Sequence, residues 1–261
     1  MVSKNIKLLK IFLGLTFILL PSICMAHFGT IMLKNTMLDQ YTRKTQAIFA
    51  FIHPFEQNGM DLEIPDKVEM INLTTGEKID LINFLIPKKI LNHKAYKSNI
   101  AIKKPGVYCI YMIPKPYFEP AEDKFIKHIT KTYLAAFGEE EGWSKPLGLE
   151  VEIVPLTRPF GLYAGNVFRG KVLRNGQPIA GAEVEVEYFN RGSKIKARNE
   201  YMVTQVVLTD DKGVFSYSPP APGWWGFSAL TEADYKIQHN GQDKPVEVGG
   251  VIWVKFLPWG K

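Results

Sequence analysis

Val107-Tyr108-Cys109-Ile110-Tyr111-Met112-Ile113 is an alternating run rich in β-branched and aromatic residues, and the turn residues Lys104-Pro105-Gly106 stand directly before it. Short runs of this composition, bounded by glycine or proline, read as strands. The same pattern recurs in Gln46–Ile52, Val68–Leu73 and Ser98–Ile102, with Thr75-Gly76 as a further turn. Such strands, with no helical crossovers between them, predict one antiparallel β domain, because parallel pairs need connections of a dozen or more residues. Ala121–Phe137 reads two ways: its charged start suits a helix, yet Ile126, His128, Thr130 and Thr132 alternate as in a strand. Gly138–Pro146 reads as irregular chain.

Past Arg158-Pro159 the period of two resumes. Asn166–Leu173 is a predicted strand, and Arg174-Asn175-Gly176-Gln177 carries the Asn-Gly pair favoured in tight hairpins. In Glu183–Tyr188 the spacing predicts Val184, Val186 and Tyr188 toward a core, with Glu183, Glu185 and Glu187 toward water. Tyr201–Leu208, the turn Asp210-Asp211-Lys212-Gly213, and Val214–Tyr217 read as a second hairpin. Trp224–Leu230 and Val246–Phe256 supply the last strands. The expected fold is therefore mainly β, with two antiparallel β-sandwich-like domains at 27–157 and 158–261, the second immunoglobulin-like.

The first 26 residues read as a secretory signal: Lys4, Lys7 and Lys10, then the apolar run Ile11–Leu20, then Cys24-Met25-Ala26. Ten apolar residues fall short of the roughly 20 needed to span a bilayer. Cleavage after Ala26 would leave His27 as the first residue and place the protein in the periplasm. It would also remove three lysines and no acid, lowering the formal net charge from +6 to +3. No basic stripe of the kind that binds nucleic acid is present, so nucleic acid is not an expected partner. Of the two cysteines only Cys109 would remain, so no internal disulfide is expected, and Cys109 reads as a small core residue.

Phosphate-binding glycine loops, nucleophile elbows, His-Glu-x-x-His helices and Cys-x-x-Cys pairs are all missing from the sequence. The chain is not expected to be an enzyme. What remains is imidazole: His27, His53, His93, His128 and His239. A histidine at a free N-terminus offers an amine and a ring nitrogen that chelate one metal with little extra ordering; the alternative is a frayed polar end. His53 ends an apolar strand and precedes Pro54, which biases it toward extended geometry at a strand end. Glu56 is a candidate oxygen ligand or an acceptor that orients an imidazole, or else a plain surface acid. His128 shares a face with Ile126 and Thr130 if its segment is a strand. His93 and His239 sit in polar, turn-like surroundings and read as solvent-exposed.

Several stretches together carry a family resemblance. They are Ala26-His27-Phe28, His53-Pro54-Phe55-Glu56, Lys127-His128-Ile129-Thr130-Lys131, Gly148–Leu156, Tyr163–Phe168, Pro222–Phe227 and Val251-Ile252-Trp253-Val254. The chain resembles periplasmic components associated with nickel and cobalt uptake transporters, a family catalogued as a domain of unknown function. The resemblance implies a metal-binding accessory protein that presents Ni²⁺ or Co²⁺ to a membrane nickel/cobalt importer, with a small metal chelator as a further possible partner. It implies His27, His53 and His128 as ligands, with Glu56 beside them. Imidazole and amine donors bind Cu²⁺ more tightly than nickel, so donor type alone does not select the metal. Two other readings stay open: a copper-dependent oxidative enzyme built on an N-terminal histidine, and a non-metal adhesion or scaffold module.

Overall fold

The structure, a computed structural model, describes residues 28–260; the expected signal segment and the candidate ligand His27 lie outside them. The first half contributes β1 (Phe28–Leu33), β2 (Met37–Leu38), β3 (Lys44–His53), β4 (Asn58–Met60), β5 (Lys67–Asn72), β6 (Lys78–Asp80), β7 (Ile86–Ile90), β8 (His93–Ala101), β9 (Gly106–Ile113), β10 (Tyr117–Glu119) and β11 (Lys124–Ala136). The second contributes β12 (Val151–Pro155), β13 (Leu162–Tyr163), β14 (Phe168–Arg174), β15 (Gln177–Pro178), β16 (Glu183–Tyr188), β17 (Gln205–Leu208), β18 (Val214–Tyr217), β19 (Gly223–His239) and β20 (Gln242–Leu257). Two short 3-10 turns, Ile82–Phe84 and Glu200–Met202, are the only helical pieces among the described residues. The mainly β reading holds, and the ambiguous 121–137 stretch is largely strand.

An eleven-stranded sheet forms the middle of the molecule, in the order β17-β16-β19-β20-β11-β9-β5-β6 with β2, β10 and β13 attached along its length. A five-stranded sheet (β1-β3-β8-β7 plus β4) covers one face of it, and a four-stranded sheet (β12-β14-β15 plus β18) covers the other. This explains the apolar density of β9. Tyr108, Ile110 and Met112 enter the core with Ile31, Phe49 and Leu134. Val107, Cys109 and Tyr111 enter the opposite core with Val151, Val172, Phe227 and Ile252. A strand buried on both faces reads as nearly continuous apolar sequence. Each large apolar side chain so buried stabilises the fold by about 1.5–3 kcal/mol.

Three expectations are corrected. First, the two halves are joined by a parallel pair: β11 and β20 align from Phe125↔Val246 to Thr132↔Trp253. The whole second half serves as the crossover, so no helix is required. Second, Glu185 and Glu187 are buried, at 8% and 2% exposure, where a wet strand face was expected. Val184 and Val186 do enter the core, but the opposite face of β16 is also covered, by the turn that follows β3. Third, β17 and β18 do not form a hairpin, since β17 pairs with β16 and β18 with β14. Asp210 Oδ1 accepts the Lys212 and Val214 N–H groups (both 2.9 Å), and the turn arches the chain from one sheet to the other. The Asn175-Gly176 turn behaves as expected, both residues having positive φ (49° and 78°) between β14 and β15. β12, placed in the first half by a boundary at 157, is hydrogen-bonded to β14 of the second.

Candidate functional site

His53 is the last residue of β3 and is buried, at 4% exposure. After it the chain reverses: Gln57 N–H donates to the His53 carbonyl (3.0 Å), Gln57 has φ 59°, and its side-chain Nε2 donates to the Pro54 carbonyl (2.6 Å). The turn is docked against the second half of the chain. Asn190 N–H donates to the Pro54 carbonyl (3.1 Å), Asn190 Nδ2 donates to the Phe55 carbonyl (3.1 Å), and Phe55 N–H donates to Glu187 Oε2 (3.2 Å). The other Glu187 oxygen accepts the Thr204 hydroxyl. Among the described residues no cation is paired with this carboxylate. Burial therefore dominates and pushes Glu187 up to about 8, with the Thr204 and Phe55 hydrogen bonds offsetting it only in part. Glu56 is exposed and adds to the negative potential on Glu187.

The start of β1 comes to the same place. Phe28 is in register with Ile52, the residue before His53. Its ring packs edge-on against Trp253 (5.9 Å, 69°), and Trp253 Nε1 donates to the Gly29 carbonyl (2.8 Å). Across the central sheet Gly226 stands between Glu187 and Trp253. A Cβ there would lie 2.8 Å from Trp253 Cζ2 and 3.0 Å from Phe28 Cδ1, so glycine leaves room for both rings.

His128 lies on β11 opposite Gly249 and is 3% exposed. Gly249 makes room for it: a Cβ would meet His128 Cδ2 at 2.6 Å. Among the described residues neither ring nitrogen has a hydrogen-bond partner. Nε2 is 3.8 Å from Glu247 Oε1, too long for a hydrogen bond, and the ring stands perpendicular to Phe51 at 5.9 Å. Burial would raise the Glu247 pKa, yet His128 and the Lys124 ammonium (2.6 Å) outweigh it and hold Glu247 at about 2. Glu185 is pushed up to about 7 by burial and then by Glu247.

Among the described residues no three His, Cys, Asp or Glu side chains converge into a group that could hold a metal ion. His93 and His239 are half-buried rather than free in solvent. His93 Nδ1 pairs with Asp61 at 3.3 Å, and His239 stacks on Phe118 at 3.8 Å. Burial pushes the Cys109 thiol up to about 12, so it offers no thiolate at neutral pH. Glu187, Glu185 and Glu247 were missed by sequence reasoning. Alternation with valine marks a wet face unless one knows what covers it, and no local signal in Glu183–Tyr188 tells of the turn from β3.

Fold and site together define an all-β protein whose two halves meet over buried acids and imidazoles. The chain belongs to the family described as Domain of unknown function (DUF4198), whose model matches residues 24–233. No curated protein matches the chain at a significant level. Among solved structures, the D0-D1 domain of intimin shares 13% identity, with 86% of this chain and 99% of that one covered at a TM-score of 0.24. Salmonella alpha-2-macroglobulin reacted with methylamine shares 10% identity over 86% of this chain and 15% of its own length, at 0.25. The fibronectin(III)-like modules of Clostridium thermocellum CbhA share 10% over 87% and 95%, at 0.21. Overlaps this loose carry no argument about function.

Proposed function

We propose that the processed chain is a periplasmic metal-binding accessory protein for nickel or cobalt uptake, which presents the ion to a membrane importer. One observation carries the reading: the Phe28↔Ile52 register brings the start of β1 to the end of β3, where the turn after His53 docks on a buried carboxyl that has no cation among the described residues. A free His27 at that point would add an amine and an imidazole to the His53 ring. Glu187 would balance the charge of the ion or orient a ligand. A cation would also relieve the burial penalty that keeps Glu187 protonated, so binding at neutral pH should release protons. Amine, imidazole and carboxylate donors suit divalent late transition metals, and Cu²⁺ would compete on affinity alone. Within this reading Glu56 stays at the rim. His128, whose nearest charged neighbour is Glu247, is not required.

The test is a calorimetric titration of Ni²⁺ into mature protein whose N-terminus is verified by mass spectrometry. About one ion per chain is expected, with binding strongly weakened by His53→Ala and by an N-terminal extension that acylates His27. Undiminished binding by both altered forms would reject the site.

A further inference from the structure

A second feature needs no metal. Between the five-stranded sheet and the central sheet lies a cavity of about 160 Å³, separate from the Pro54–Glu187 contact. Phe51, Leu62, Met112, Tyr117, Phe118 and Ile126 make up its apolar wall, and the one buried polar side chain facing it is His128. Asp61, Glu63 and Lys115 line it from the solvent side. Among the described residues both ring nitrogens of His128 lack a hydrogen-bond partner, although the residue is only 3% exposed. A buried polar group left without a partner costs about 1–3 kcal/mol. Natural folds rarely keep one unless something else completes it.

We infer that this cavity is a binding site for a small neutral aromatic molecule of one ring that carries a single hydroxyl or N–H group, which hydrogen-bonds to a ring nitrogen of His128. Size sets the first limit, because an apolar cavity of about 150 Å³ takes one benzene ring. The wall sets the second: Phe51, Tyr117 and Phe118 offer ring edges and faces, which reward a flat partner. His128 sets the third, since its ring is the one buried polar group on the apolar wall and rewards a single polar group on the ligand. Glu247 already stands 3.8 Å from Nε2, so a second anion inside the cavity would be repelled, and a neutral ligand is favoured.

The test uses the mature chain in excess EDTA, so that its outcome is independent of the metal reading. Phenol and toluene are titrated separately and followed by protein NMR chemical shifts. Saturable binding of phenol at one site is expected, with shifts at His128, Phe51 and Ile126, and about a tenfold preference over toluene, the size of one net hydrogen bond. In His128→Phe the preference should fall to about one. Because the preference is a ratio within one variant, a general loss of stability would leave it unchanged. A second variant, Leu62→Trp, should fill the space and abolish binding of both probes. The inference is overturned by non-saturating shifts with wild-type protein, or by a phenol preference that survives in His128→Phe.

Discussion

Lys131 and His128 sit on opposite faces of the same strand, β11, and both are buried, yet only Lys131 is hydrogen-bonded to a partner among the described residues. Lys131 Nζ is 2.8 Å from Glu152 Oε2, each side chain being 1% exposed. Glu152 also accepts the Leu147 and Gly148 N–H groups at 3.0 Å, so the carboxylate is held by a cation and two N–H groups. On the other face His128 has no hydrogen bond, and Glu185 and Glu187 are pushed up by burial to about 7 and about 8. Buried charge that is paired, as here, belongs to the fold. Buried polarity that is left short marks where a ligand or ion has most to gain. Function is proposed on the face that carries His128, Glu185 and Glu187.

The contrast can be broken at its firm side first. Lys131→Met alone should cost about 3–5 kcal/mol in urea unfolding, because it strands Glu152, whereas Lys131→Met with Glu152→Leu should recover most of that. Equal losses in the single and double variants would show that packing, not the ion pair, decides. On the open side, His53→Ala should weaken Ni²⁺ binding by about 100-fold or more and Glu187→Gln by about 10–100-fold, read by calorimetry. A smaller effect on stability should appear as a pH slope. The folded chain holds a proton on Glu185 up to about pH 7, while an unfolded glutamate releases it near 4.5. Over that window the folded state binds more protons, so stability falls as pH rises. Glu185→Gln should remove its share of this slope, leaving that of Glu187, and gain on the order of 2 kcal/mol at pH 8 relative to pH 5; a gain independent of pH would contradict the assigned cause. The mildest change is Glu56→Ala. At an exposed position it should alter stability by less than about 0.5 kcal/mol and metal affinity by no more than about twofold.

Much of this contrast was hidden in the sequence. The strands of the first half were legible because β9 and β3 are dense in apolar and β-branched residues, and their turns carry Pro and Gly in the expected places. His53 was legible as a fixed side chain, since Pro54 follows it at a strand end. Glu187 was not: Val-Glu-Val-Glu looks the same whether the glutamates meet water or another layer, and the layer here comes from residues 54–57, more than a hundred positions away. The Asp210–Gly213 arch was misread as a hairpin for a related reason. Turn chemistry fixes the reversal of the chain but not which sheet receives the strand that follows.

Anomalous diffraction at the nickel edge, from crystals of the N-terminally verified mature protein loaded with one equivalent of Ni²⁺, tests the central claim most directly. The expected result is a single strong peak about 2 Å from a His53 ring nitrogen and from the terminal amine, beside Glu187. A peak elsewhere, on the His93–Asp61 pair or on His128, or no ordered peak at full loading, would contradict it.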